Sequence, residues 1–294
     1  MKILVSGASG LVGREVVRSL SAMGHQVLTL NRNTSQTPYW DIGKKNIELG
    51  ADKDIDVIIN LAGESVAEGR WTSAKKERIL RSRVDGTQLL SDFFSAAEYR
   101  PQLMISASAV GFYGERGEEG LDETSAKGSG FLSDVAKAWE NATKTATDAG
   151  IRVANIRLGM VLSTQGGGLA KMLPPFKMGL GGTIGSGRQY MSWISINDVI
   201  ATINHIIQQK TLQGPINLVA PEPVTNRQFT KTLARVLRRP AFIPVPKILL
   251  FIILGEMARD LLFASAKVRP VKLLESGYSF LEPDLETALR TLLG

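Results

Sequence analysis

The chain has 294 residues, a formal charge of +7, 44% apolar and 21% charged residues, and no cysteine. That length suits one large or two modest domains, and the balance is that of a globular chain rather than a disordered or fibrous one. Without Cys, and with only His25 and His205, there is no disulfide framework, no cysteine nucleophile, no expected metal site and little material for a Ser-His-Asp triad.

In chain order, Ile3, Leu4 and Val5 read as a short apolar strand and Gly7 to Gly13 as a glycine-rich turn. Leu11 to Met23 has helical spacing, with Val12, Val16, Val17 and Leu20 on one face. Val27 to Leu30 and the nearly all-apolar Ile55 to Leu61 are further strands, the second suited to burial on both faces of a parallel sheet. The segment between them is short for a helix and a strand, so Tyr39-Trp40-Asp41 is expected as a short extended piece in a reduced crossover. Thr72 or Ser73 caps a long helix to about Ala97. A strand at Gln102–Ser108, a helix at Phe131–Asp148 and a strand at Arg152–Leu162 follow.

Beyond residue 162 the texture becomes glycine-rich and irregular. Trp193 to Ile196 and Ile216 to Val219 read as strands, Asp198 to Gln208 as a helix, and Thr225 or Asn226 caps a helix to Leu237. Residues 247 to 265 read as a mostly buried helix containing Met257. Alternating strands and helices predict an α/β fold, a Rossmann-type doubly wound parallel sheet with a smaller, mostly helical C-terminal domain. The expected division is a nucleotide-binding domain over 1–162, its sheet completed by about 193–220, and a substrate domain from 163–192 and 221–294.

The turn Gly7-Ala8-Ser9-Gly10-Leu11-Val12-Gly13 follows a strand and opens a helix, the context that phosphate binding requires. Gly7 permits the turn, Gly10 lets backbone approach a pyrophosphate, and Gly13 allows close helix–strand packing. The anion sits at the positive end of the helix. Gly7, Ser9, Gly10, Leu11, Val12 and Gly13 are therefore expected at a dinucleotide. The second strand ends at Asn31-Arg32, where NAD sites place an acid for the ribose hydroxyls. A guanidinium there suits a 2′-phosphate, so NADP (NADPH) is the expected cofactor.

The G-x-x-G-x-x-G spacing resembles the short-chain dehydrogenase/reductase superfamily, in its extended and atypical branches. That resemblance implies an adenine contact at Asp41 and a segment Leu61-Ala62-Gly63 beneath the adenosine ribose. In that superfamily a Ser orients substrate, and a Tyr four residues before a Lys moves the proton. None of the five tyrosines has Lys four residues on. Ser108, near the end of its strand, matches the serine, and the expected helix carries Ser133 and Lys137 where tyrosine and lysine would stand, with Glu140 following. A serine hydroxyl is a far weaker acid than a phenol. Tyr113 is the first candidate to supply the proton instead, and Glu64 the second.

Over essentially its whole length the chain resembles the atypical group regarded as NAD(P)-dependent sugar-nucleotide epimerases, which carry a small C-terminal domain of unassigned function. The matching pieces include Trp40-Asp41, Ser82-Arg83 with Thr87, Trp139-Glu140, Gly185-Ser186-Gly187-Arg188-Gln189 and Phe242-Ile243-Pro244-Val245-Pro246. The resemblance implies that Arg83 lies near the cofactor phosphates or nicotinamide ribose and Val161 near the nicotinamide. On its own chemistry Arg83 reads equally as a surface ion-pair partner. The cluster Gly179–Gly187 with Arg188 suits an anion nest, in keeping with a nucleotide-diphosphate substrate, and equally a lid that excludes water. Trp193 reads as a core residue or a stacking platform.

Two functional classes follow. One is an NADP-dependent oxidoreductase or epimerase acting on a nucleotide-sugar-like or other polar carbonyl or alcohol substrate. The other is a non-catalytic NADP-binding redox sensor or scaffold that has lost the tyrosine. Basic residues are dispersed rather than clustered with aromatics, so no nucleic-acid partner is expected. The longest apolar run, Ile248 to Leu254, falls well short of the about 20 residues that span a bilayer, and a strand begins at Lys2. A cytoplasmic chain without a membrane partner is expected. Homodimerisation through the two long helices is open.

Overall fold

Ile3, Leu4 and Val5 have no solvent exposure, because the strand they form lies inside a sheet covered on both faces. The computed structural model describes all 294 residues. The first half runs β1 (Lys2–Ser6), α1 (Leu11–Ala22), β2 (Gln26–Leu30), a hairpin of β3 (Tyr39–Asp41) and β4 (Asn46–Glu48), β5 (Val57–Asn60) and α2 (Ser73–Ser95). Then come β6 (Leu103–Ala109), a tight helical turn at Val110–Tyr113, β7 (Gly120–Leu121), α3 (Phe131–Asn141), α4 (Lys144–Asp148) and β8 (Arg152–Leu158).

The second half holds β9 (Met160–Leu162), α5 (Gly167–Lys177), β10 (Tyr190–Met191), β11 (Trp193–Ser195), α6 (Ile196–Gln208) and β12 (Gly214–Leu218). It ends with β13 (Val224–Thr225), α7 (Asn226–Leu237), α8 (Lys247–Leu254), α9 (Glu256–Ala258), β14 (Lys267–Val268), α10 (Val271–Glu275) and α11 (Leu285–Leu293).

Six strands in the order β2-β1-β5-β6-β8-β12 form one all-parallel sheet. Ile3 is in register with Val27 and Val57, and Ile105 with Ile59 and Ala154. Alternate residues leave the sheet on opposite faces. Ile3, Val5, Ile59, Ile105 and Ile156 join Val16 and Leu20 of α1 and Ile203 of α6 in one core. Leu4, Ile58, Met104 and Val153 join Leu90 and Phe94 of α2 in the other. This is the doubly wound α/β architecture expected from the alternation of strands and helices. A third core gathers α5, α7 and α11 around Phe176, Phe229 and Leu289. No helix is long and apolar enough to cross a membrane.

Three segments differ from expectation. The helix expected over 131–148 is interrupted at Ala142 and Thr143, where the Thr143 hydroxyl donates to the Glu140 carbonyl at 2.7 Å instead of leaving the helix surface clear. The strand expected over 152–162 divides at Gly159, where a Cβ would stand 2.6 Å from the Ser192 carbonyl oxygen. Beyond that crossing the chain leaves the main sheet, and β9 pairs with β11. The expected buried helix over 247–265 is instead α8, which has no buried residue, then α9 and a wider helical turn at Arg259–Phe263. Within that stretch only Met257, Ala258 and Ser265 are buried. Apolar composition on every side suggests burial, but no other element covers the outer side of α8.

Candidate active site

The strand order reverses at β1 and β5, and the crevice past their C-terminal ends is where such sheets bind ligands. A cleft of about 350 Å³ opens there. Its walls include Gly7, Gly10, Leu11, Val12 and Gly13 from the turn, Leu61 and Gly63 past β5, Arg83, Ser108, Trp139, and Leu158 to Val161 without Met160.

The three glycines have different causes. Gly7 has φ +71°, and a Cβ on it would meet the Leu61 carbonyl carbon at 2.7 Å. A Cβ on Gly13 would stand 2.2 Å from the Gly7 carbonyl oxygen. Gly10 touches only the Gly7 oxygen, at 3.2 Å, and otherwise borders open space. The fold therefore demands Gly7 and Gly13, while Gly10 keeps backbone bare toward the cleft. Gly10 is also the N-cap of α1 and supplies no side-chain cap, so the first amides of α1 point unprotected at the space where a phosphate would sit. The turn fits a dinucleotide.

Arg83 forms the cleft's cationic wall. Its guanidinium lies against Gly63, where a Cβ would come within 3.1 Å of Cζ, and 5.0 Å above the Trp139 ring. One nitrogen donates to the Ile79 carbonyl at 3.0 Å, but no carboxylate bonds it. Burial pulls its pKa down to about 10, with Glu64 acting weakly in the other direction. A half-buried cation lacking a counter-charge at the wall of a cleft is built to receive an anion. The surface ion-pair reading of Arg83 does not hold.

Hydrogen bonds behind the cleft fix its walls. Ser6 Oγ donates to Asn60 Oδ1 at 2.6 Å, Asn60 Nδ2 donates to Thr87 Oγ1 at 2.7 Å, and Trp139 Nε1 donates to the same oxygen at 2.9 Å. β1, β5, α2 and α3 are thereby tied at one point. Sequence reasoning assigned no role to Asn60, although an amide at the end of an apolar strand was the available signal.

Ser108, at the far wall, donates to Glu140 Oε1 at 2.7 Å. Glu140 accepts from Arg157 Nε at 2.7 Å and Nη2 at 2.9 Å, so the carboxylate is an acceptor on every side. Arg157 lies 3.5 Å from the Phe112 ring centre and donates to the Tyr113 hydroxyl at 2.9 Å. Burial lowers the Arg157 pKa, but the hydrogen bonds and charges of Glu140 and Tyr113 together outweigh it and the net shift is upward. Arg157 has a large part in the site that its place inside a strand did not signal.

Tyr113 does not reach the cleft. It is fully buried, with its hydroxyl 2.7 Å from Asn217 Oδ1 and 2.9 Å from the Asp122 carbonyl oxygen. Burial pushes its pKa up to about 12 despite the neighbouring Arg157. The expectation that it supplies the proton is corrected: the short helical turn after β6 carries the ring into the core, not over the cofactor crevice.

Glu64 stands outside the cleft walls and is held by Lys75 at 2.7 Å and Arg78 at 3.5 Å. The Lys75 hydrogen bond keeps its carboxyl below the usual range, which suits a carboxylate and not a proton donor. Ser133 is buried with its hydroxyl spent on the Phe112 carbonyl at 2.7 Å. Lys137, one turn later, is exposed, forms no ion pair, and is not a wall residue.

On the adenosine side, Arg32 is exposed beyond β2 and free of ion pairs. Asn31 bonds the Thr29 carbonyl at 3.0 Å and bridges to Tyr39. Asp41 ends β3 and accepts from the Lys44 amide at 3.0 Å. Ala62 packs toward the α2-side core, and Ser9 is exposed at the turn.

The second glycine cluster is not an anion nest. Its amides at Ile184, Gly185, Gly187 and Arg188 already donate to Asn226 Oδ1, Val245, Ile184 and Ser186 Oγ. Trp193 is fully buried in the third core, which settles it as packing.

A parallel sheet, a glycine turn opening α1 and a cationic crevice at the strand reversal define a Rossmann-type nucleotide-binding protein of the short-chain dehydrogenase/reductase kind. Residues 3–219 match the NAD dependent epimerase/dehydratase family, and the chain belongs to it. Residues 245–292 match a domain of unknown function, DUF1731. The epimerase family protein YfhF of Bacillus subtilis is 38% identical, over 100% of this chain and 98% of its own. Human epimerase family protein SDR39U1 (isoform2), crystallised with NADPH, superposes with a TM-score of 0.92 at 32% identity, covering 99% of each chain. The UDP-glucose 4-epimerase of Thermotoga maritima shares the fold, with a TM-score of 0.76 at 18% identity over 100% of this chain and 97% of that one.

Proposed function

We propose that the protein is an NADP(H)-dependent oxidoreductase or epimerase acting on a small polar carbonyl or alcohol, nucleotide-sugar-like substrates included. The observation that carries this reading is the bare turn at Gly10 facing Arg83, a half-buried cation that no carboxylate bonds. The NADPH of the similar human protein supports the choice of dinucleotide. In this reading the first amides of α1 bind the pyrophosphate, and Arg83 faces the phosphates or nicotinamide ribose. Arg32 meets the 2′-phosphate, Asp41 contacts the adenine, and Leu61, Gly63 and Val161 bound the cleft. The bound cofactor supplies or accepts hydride.

Ser108 sets the polarity of the substrate. Glu140, saturated by Arg157, only accepts, so the Ser108 hydrogen is committed to it and the serine turns lone pairs toward the cleft. It therefore orients a substrate group that donates, such as an alcohol. Ser133 braces the turn before α3 through Phe112, and Lys137 stays free at the surface of α3.

A second reading, a non-catalytic NADP(H)-binding redox sensor or scaffold, draws support from the engaged states of Tyr113 and Glu64. One experiment separates the two. NADPH is titrated into the protein, and hydride exchange is then followed with polar ketones, alcohols and nucleotide-sugars. Binding with turnover supports the enzyme, binding without turnover on any of them supports the sensor, and no binding ends both.

A further inference from the structure

The chain between Pro240 and Leu254 carries a surface that the fold leaves bare. Phe242 is 86% exposed, Ile248 75% and Ile252 65%. Ile248 with Ile252, and Leu249 with Ile253, fall one helical turn apart and make one continuous outer stripe on α8. The inner side of α8 is apolar as well, with Phe251 stacked on Phe263 at 5.4 Å between ring centres. The stripe extends onto the loop after α5. Gly179 packs on Pro240, and the Ile243 amide donates to the Gly181 carbonyl at 3.3 Å. That brings Met178, 66% exposed, and Leu180 into the same patch.

Charge decides what this patch meets. Between Asn226 and Gly255 there is no Asp or Glu, and none between Ala149 and Asn197. Lys177, Arg238, Arg239 and Lys247 stand at the edges of the patch, exposed and without ion pairs. The next carboxylates along the chain, Glu256 and Asp260, are held by Lys76 and Arg259. A second copy of the chain laid on this face would set these cations against one another, and neither of the two segments that form the patch holds an acid to receive them. An anionic bilayer surface supplies both missing partners: an acyl boundary for the stripe and phosphate charge for its flanks.

We propose that α8, Phe242 and the Met178–Leu180 loop form a peripheral docking face for anionic lipid. At eight residues α8 is too short to span a bilayer, so it lies in the interface. Arg70 bonds the carbonyls at the end of α8, so the docked face sits against the segment leading into α2, outside the cofactor cleft.

The test is co-sedimentation of the full chain with vesicles of phosphatidylcholine alone and of phosphatidylcholine with phosphatidylglycerol. Binding to the anionic vesicles only, weakened by salt, is expected. Arg238→Gln with Arg239→Gln should lower partitioning about fivefold for each cation removed. Ile248→Ser with Ile252→Ser should abolish it, while the melting temperature and NADPH binding stay as in the parent. Absence of binding to either vesicle overturns the proposal. So does equal binding to both, or self-association that the Ile248/Ile252 variant alone abolishes.

Discussion

Gly10 and Gly13 sit three residues apart, yet the physical demands on them differ enough to be separated by the same substitution. Gly13→Ala drives a methyl into the Gly7 backbone, at 2.2 Å, where no flexible side chain can yield. It should destabilise the protein by about 3 kcal/mol or more and remove cofactor binding with it, which thermal unfolding and titration would both register. Gly10→Ala requires the Gly7 oxygen to give by only a few tenths of an ångström, but fills the approach that a phosphate needs. It should leave the melting temperature nearly unchanged while NADPH affinity collapses. Arg83→Ala tests the same site from the other wall: losing a charged hydrogen bond of about 1.5–3 kcal/mol should weaken NADPH binding roughly ten- to hundredfold. Arg32 discriminates between cofactors. Arg32→Ala should weaken NADPH much more than NADH, and equal losses would remove Arg32 from the 2′-phosphate site.

Elements explain why those residues converge, and how much of this the sequence disclosed. The turn between β1 and α1 was legible because the positive φ of Gly7 and the contacts of Gly10 and Gly13 with the Gly7 backbone are local to a strand–turn–helix context. The long helix α2 was legible for a similar reason, since Thr72 Oγ1 accepts from the Lys75 amide at its start. The role of Tyr113 was not, because motif order placed it beside Ser108 while the turn at Val110–Tyr113 rotates it into the core. The bareness of α8 was also hidden, since apolar composition cannot distinguish a covered face from an uncovered one. The ion pair between Glu64 and Lys75 binds the loop after β5 to α2, and it has a pH signature. The Glu64 carboxyl is depressed below its ordinary value of 4.5, so its contribution is complete above that value and is lost as pH falls through the folded one. The stability gap between the parent and Glu64→Gln should therefore narrow on acidification below that value. A gap that stays constant or widens would mean the pair does not carry it.

At the scale of the whole molecule, the C-terminal region is not simply appended to the nucleotide-binding half. The chain leaves the main sheet after β8, returns to it at β12, and leaves again. Among the buried carboxylates that fasten the returning tail, Asp198 gathers the most partners. Asp198, in the first turn of α6, accepts from the Tyr278 hydroxyl at 2.8 Å and from the Leu281 and Glu282 amides at 2.9 and 3.0 Å. Ser195 adds its hydroxyl at 3.2 Å. Tyr278 and Phe280 pack on the same core as β1 and α6, so the tail shares its apolar contacts with the sheet. Asp198→Ala would remove the shared acceptor of these donors, of which the Glu282 amide and the Ser195 hydroxyl are buried and the Tyr278 and Leu281 groups partly so. It should cost about 3 kcal/mol or more, and lower the melting temperature by roughly 5–10 °C. Because the tail and the sheet share one core, calorimetry of the variant should still give a single transition. A separate early transition for the tail, with NADPH affinity intact, would show that residues beyond 221 fold as an independent unit.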